Sequence, residues 1–312
     1  MTAALAFWTI APGSGALRPE TLGDEGVLVR TLASGISRGT EATVFAGRVP
    51  PSQYTTMRAP LMGGRFPFPV KYGYSAVGLA ADFGRVFVLH PHQDRFRAPA
   101  AMCLPVPDTV PTGRAVLAAN METALNICWD AAPLPGERIM VIGAGTVGLL
   151  TAALLARLPG GQVTVVDVLP VRAAIAQRLG CTFTVPEEAP GGQELIVHAS
   201  GSASGLRLAL DRAAPEARII EASWFADATP SLPLGEAFHV RRLRLLSSQV
   251  GRIGGAMRGR RTHAERLALA LALLADPVFD ALLEPPTPFA DLPAAMPRLL
   301  AGAGLCHVVR YG

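Results

Sequence analysis

Gly143, Gly145 and Gly148 stand in the order G-x-G-x-x-G, and Asp167 follows nineteen residues after the last of them. These residue types at this spacing suit a dinucleotide. Gly143 lets the chain turn sharply. Gly145 carries no side chain, so a pyrophosphate can reach the backbone, and Gly148 lets a helix pack closely on a sheet. Thr146 and Val147 open that helix, where free N–H groups meet phosphate. Asp167 is placed to hold ribose hydroxyls, and its charge repels a 2′-phosphate. Arg172 is the nearest following cation and none directly follows Asp167, so NAD is expected over NADP.

The surrounding pattern supplies the elements this chemistry needs. Ile139-Met140-Val141-Ile142 reads as a buried strand, residues 149–158 as a helix stopped by Pro159-Gly160-Gly161, and Val163–Val166 as a second strand. Alternating strands and helices continue to about residue 276, which predicts a doubly wound parallel sheet. Ligands gather at the carboxyl ends of such strands, so Ser200, Gly201 and Ser223 join the cofactor candidates.

Residues 1–112 differ. Short β-like runs (4–10, 25–33, 76–80 and 85–90) are separated by Gly and Pro, which predicts a partly closed antiparallel barrel. A proline-rich segment, Val49 to Tyr72, lies among them without periodicity. A helix over 112–132 leads into the parallel sheet. The last strand, 306–311, is expected to return to the barrel. The predicted domains are therefore 1–112, completed by 285–312, and 113–284.

Composition narrows the partners. Length suits about two domains, and half of the 312 residues are hydrophobic. Lys71 is the only lysine in a chain of formal charge +4, so its cations are almost all arginine, and no nucleic-acid partner is expected. No run of about 18 apolar residues and no leader-like start predict neither membrane span nor export. Four scattered cysteines without a C-x-x-C pair fit the cytoplasm. Arg252, Arg258, Arg260 and Arg261 form either a solvated loop or a lip that attracts an anionic small-molecule substrate. His90 and His92 flank Pro91. That proline and the lack of a matched third ligand disfavour a shared metal, leaving His92 as a substrate contact or proton relay.

With both halves in view, the chain resembles the medium-chain dehydrogenase/reductase superfamily, alcohol dehydrogenase relatives that pair a GroES-like barrel with a Rossmann domain. The resemblance rests on Ser34-Gly35-Ile36-Ser37-Arg38-Gly39-Thr40-Glu41, Gly84-Arg85-Val86-Phe87, Pro105-Val106-Pro107-Asp108, residues 141–150 and Leu179-Gly180. The first octapeptide is similar to that of bacteriochlorophyllide dehydrogenases; their substrate is not carried over. The resemblance implies a homodimer or homotetramer.

The departures from that family bear on mechanism. Its zinc members place a cysteine where Ser37 stands and a histidine where Tyr74 stands. Glu122 is the one residue near 120–123 able to serve as a further ligand. Hydroxyls are poor substitutes for the N, S or carboxylate donors zinc takes, so a zinc-independent member is expected. Tyr74, Thr40 and Ser37 are then the candidates to hold the reacting oxygen or supply its proton. Three activities remain open: an NAD-dependent alcohol/carbonyl oxidoreductase, an NADPH-dependent quinone or enoyl reductase, and a silent dinucleotide-binding protein.

Overall fold

The computed structural model describes residues 2–312. Strands β1 (Thr2–Ala11) and β2 (Ser14–Leu22) form a hairpin across Pro12-Gly13. Next come β3 (Val27–Ile36), helix α1 (Arg38–Phe45), β4 (Gly63–Gly64), β5 (Val70–Lys71), β6 (Ala76–Ala80), β7 (Gly84–Val88), β8 (Arg95–Ala98) and β9 (Leu104–Pro105). Helices α2 (Thr112–Ala115) and α3 (Ala118–Ala131) follow. Then alternate β10 (Arg138–Ile142), α4 (Thr146–Leu155), β11 (Gln162–Val166), α5 (Ala173–Arg178), β12 (Thr182–Thr184), β13 (Gln193–His198), α6 (Ala203–Arg212), β14 (Ala213–Glu221) and β15 (Arg244–Ser247). The chain ends with α7 (His263–Leu273), β16 (Leu283–Pro288), α8 (Leu292–Ala301) and β17 (Cys306–Arg310).

Two compact units result: one runs to Ala119 and resumes over Leu271–Gly312, the other is Asn120–Ala270. The expected boundaries were 112 and 284. The observed crossings fall inside α3 and α7, where no Gly- or Pro-rich linker marks them.

The second unit holds a parallel sheet in the order β12-β11-β10-β13-β14-β15. Counted within the unit, that is 3-2-1-4-5-6, the order of a dinucleotide-binding doubly wound sheet, with its switch point between β10 and β13. Strands buried on both faces must be apolar nearly throughout. Ile139, Met140, Val141 and Ile142 are accordingly all buried, and Met140, Ile142, Val166, Ile196 and Ile219 share a core with Leu206 and Leu210 of α6.

The first unit is built of two sheets, bridged at Ala6 and Gln93. Its strands form a sheet of order β2-β1-β5-β4 and another of order β16-β17-β3-β6-β7-β9, with β8 also on β3. Among the described residues neither closes, so no closed barrel is present. β17 does return, pairing antiparallel with β3. β16 carries Pro285 and Pro286, which do not suggest a strand. It lies at the sheet edge, where a proline's missing N–H costs no ladder bond. Phe7, Ile36, Phe45, Phe289, Leu292, Met296, Val309 and Tyr311 form one core of this unit.

Candidate functional site

The glycine turn sits at the end of β10. Gly143 has φ +106, a region an L side chain rarely adopts, and a Cβ there would come 2.7 Å from Ser200 N. A Cβ on Gly148 would come 1.9 Å from the carbonyl oxygen of Gly143. Gly145 differs: it is exposed, it caps α4 with φ −77, and an added Cβ would meet nothing within 4 Å. Two glycines therefore let the turn close, and the third leaves its backbone open to a ligand. Thr146 and Val147, half-buried, begin α4.

Asp167 follows the last residue of β11 and is drawn onto this turn. Its Oδ2 accepts from Ala144 N at 2.6 Å and its Oδ1 from Leu169 N at 2.9 Å. Arg172 is buried in the short turn Pro170–Arg172 rather than spread at the surface. Ser200 and Gly201 follow β13, Ser223 follows β14, and Gly201 N donates to Ser223 Oγ at 3.0 Å. All the cofactor candidates of the second unit except Arg172 thus lie at or just after the carboxyl ends of β10, β11, β13 and β14. A cradle a Cβ would fill, open backbone at a helix start and a carboxylate beside it fit a dinucleotide.

In the first unit the structure brings three expected hydroxyls together. Tyr74 is hydrogen-bonded to the side chains of Ser37 and Thr40. Burial pushes its phenol up to about 12, while those two bonds hold it lower than burial alone would. Tyr74 is therefore a protonated donor at neutral pH. Its ring stands edge-on to Tyr72, centroids 6.0 Å apart. Ser37 is the N-cap of α1.

Behind the hydroxyls runs a buried polar chain of which only His92 was expected. Glu41 takes Ser37 N on Oε1 at 2.7 Å and His92 Nε2 on Oε2 at 2.9 Å. His92 Nδ1 lies 2.7 Å from Ser34 Oγ, itself 2.9 Å from the Tyr311 hydroxyl. His92 is 1% exposed, with both ring nitrogens taken. A side chain so placed presents no open ring nitrogen to a substrate. The sequence signal nearest to the role of Glu41, the capping box, wants the acid three residues after the serine, and Glu41 stands four after it. For Ser34 and Tyr311 there was none, because their pairing joins residues far apart in the chain.

A catalytic zinc does not fit here. The donors around Tyr74 are hydroxyls, and the carboxylate of Glu41 is spent on Ser37 and His92. Cys306 is buried, and burial together with Glu41 and Glu284 pushes its thiol up to about 12. Glu122 is taken by Arg266 at 3.0 Å, both buried. Among the described residues no three His, Cys, Asp or Glu side chains are grouped as a metal site.

His90 has a structural role instead. Its ring stacks on Phe96 with centroids 3.6 Å apart, Nδ1 bonds Pro91 O at 2.8 Å, and burial lowers its pKa from 6.5 to about 3. A buried base that stays neutral takes up its proton more readily when unfolded. Stability is then complete above pH 6.5 and falls as pH drops toward 3, by about 2 kcal/mol at pH 5. Melting temperatures from pH 7 to 5 should decline less steeply in His90→Gln than in the parent. Parallel declines would refute this assignment.

No family model matches the chain. One relative, an uncharacterized zinc-type alcohol dehydrogenase-like protein of Haemophilus influenzae, is 31% identical over 150 residues, 44% of each chain. The match spans less than half the length of that relative. Solved structures match the fold nearly end to end. L-idonate 5-dehydrogenase of Escherichia coli has a TM-score of 0.81 at 14% identity, covering 99% of this chain and 98% of that one. An alcohol dehydrogenase of E. coli in complex with NADH (16% identity) and a zinc-binding dehydrogenase of Sinorhizobium meliloti bound to NADP (15%) each have a TM-score of 0.79. Both cover 99% of this chain and 100% of their own.

Proposed function

We propose that the chain is an NAD(H)-dependent oxidoreductase that interconverts an alcohol and a carbonyl without zinc. The observation that carries this is the glycine turn with Asp167 drawn onto it, in a sheet of dinucleotide-binding order. Full-length likeness to dehydrogenase folds, two of them holding nicotinamide dinucleotides, supports it. A nicotinamide dinucleotide held at the glycine turn would supply the hydride chemistry. The chain's own residues handle the oxygen. Tyr74 donates a hydrogen bond to the carbonyl oxygen and gives up its proton as that oxygen becomes a hydroxyl. Ser37 and Thr40 hold the phenol in place, and Glu41 with His92 lies behind them to return a proton.

Titration of the purified protein with NADH tests the reading, followed by turnover against aldehydes and ketones. Absence of NADH affinity would sink it. Binding without turnover of any carbonyl would leave a silent nucleotide-binding protein. Asp167 sets the cofactor choice: NADH should bind at least about ten times more tightly than NADPH, since a carboxylate beside the ribose repels a 2′-phosphate. Asp167→Ala should bring the two affinities together. Equal affinities in the parent would sink the cofactor assignment.

Zinc independence has its own test. Metal analysis of protein purified without chelator should find no stoichiometric zinc, and about one zinc per chain would overturn the mechanism. The substrate is a small molecule. The exposed arginines 252, 258, 260 and 261 support an anionic group on it. We further take the protein to be a homodimer or homotetramer. The edge strand β15, with Leu246 42% exposed, supports this, and light scattering showing a monomer would refute it.

A further inference from the structure

The ends of β13 and β14 carry a chain of polar side chains that the glycine turn itself does not use. His198, the last residue of β13, is 0% exposed. Its Nδ1 lies 2.7 Å from Glu221 Oε2 and its Nε2 2.7 Å from Ser200 Oγ. The other oxygen of Glu221 accepts from Ser223 N at 2.7 Å, and Ser223 Oγ accepts from Gly201 N at 3.0 Å. Ser200 Oγ is 2.8 Å from Ser202 Oγ, the N-cap of α6. One imidazole thus ties together two strand ends, the loop 199–201 and the first turn of a helix.

Serine, histidine and carboxylate in that order also activate nucleophiles. Ser200 is not set for attack. Its oxygen is held by Ser202 as well as His198, and it lies against α6, where a Cβ on Gly205 would come within 2.4 Å of it. What the chain does hold is the loop on which the glycine turn rests. The side of Gly143 where a Cβ would stand lies against that loop, 2.7 Å from Ser200 N and 2.8 Å from Ala199 C.

We propose that His198 and Glu221 are positioning residues for the dinucleotide. They fix the loop 199–201, and through it keep the turn from Gly143 to Gly148 shaped for pyrophosphate. This rests on the dinucleotide reading above. Removing the imidazole takes one partner from Glu221 Oε2 and one from Ser200 Oγ, and the loop relaxes to satisfy them.

Fluorescence titration with NADH tests the proposal, run where circular dichroism shows each variant folded. His198→Ala should bind NADH about tenfold more weakly than the parent. His198→Asn puts an amide N–H near the former Nδ1–H and should regain most of that loss through Glu221. Glu221→Gln combined with His198→Ala should be no weaker than His198→Ala alone, because the bonds act as one chain. Lowered melting temperature with unchanged NADH affinity in His198→Ala would overturn the proposal, as would fluorophosphonate labelling of Ser200 in the parent. A parent that does not bind NADH would remove this proposal and the functional reading together, an outcome distinct from either.

Discussion

Gly148→Ala should abolish dinucleotide binding and destabilise the fold, while Gly145→Ala should weaken binding alone. The contrast follows from what a methyl would meet. At Gly148 it would lie 1.9 Å from the carbonyl oxygen of Gly143 and 3.1 Å from its carbonyl carbon. Both atoms are backbone, so no side chain can swing aside. Gly143 cannot retreat freely either, because it is backed by the loop at Ser200. The turn must open and the first turn of α4 must lift from β10. Overpacking of this kind costs about 1–3 kcal/mol or more, and the phosphate-facing N–H groups move with the helix.

At Gly145 the backbone is ordinary, with φ −77, and nothing lies within 4 Å of the added carbon. Alanine fits the free protein without strain. Its methyl occupies the space where pyrophosphate must approach. Gly145→Ala should therefore melt as the parent does and lose NADH affinity by about a hundredfold, close to 3 kcal/mol. Parent-like NADH affinity in Gly145→Ala would show that phosphate does not lie on this turn, whatever Gly148→Ala does. The pair separates a turn that merely folds from a turn that binds.

The same contrast shows what sequence can carry. The glycine turn, Asp167 and the alternation after it are local. Each residue's role depends on neighbours within about thirty positions, so periodicity and spacing reveal them. The first unit is not local. β17 pairs with β3, and Tyr311 completes a chain from Ser34, contacts no window of sequence contains. Short runs between glycines and prolines predicted its strands, but spacing alone does not give the way its two sheets are ordered. β16 was hidden by its prolines, which an edge strand tolerates. The hydroxyls were legible only through their departure from a family pattern. Glu41, which lies between them and His92, was missed because its partner is 51 positions away.

Tyr74→Phe should lower kcat for carbonyl reduction by about 10²–10³ and leave NADH affinity unchanged. The phenol is the natural donor of its cluster. Burial keeps it protonated up to about pH 12, and Ser37 and Thr40 hold its oxygen. Hydroxyls of serine and threonine are weaker acids than phenol and cannot replace it as a proton source. Loss of one positioned donor to a developing oxyanion has a cost of that size. Phenylalanine keeps the ring that stands edge-on to Tyr72, so packing is preserved and the change reports on the hydroxyl. The pH profile adds a second reading. If Tyr74 supplies the proton, parental carbonyl reduction should show no loss from phenol ionisation until pH approaches 12, because the proton stays in place until then. His92→Gln should act differently. It breaks the link from Glu41 to Ser34 behind the cluster, so it should slow proton return and shift the pH dependence of kcat without removing the donor. Parental kcat in Tyr74→Phe would move the proton donor elsewhere and reduce the hydroxyl cluster to a loop support.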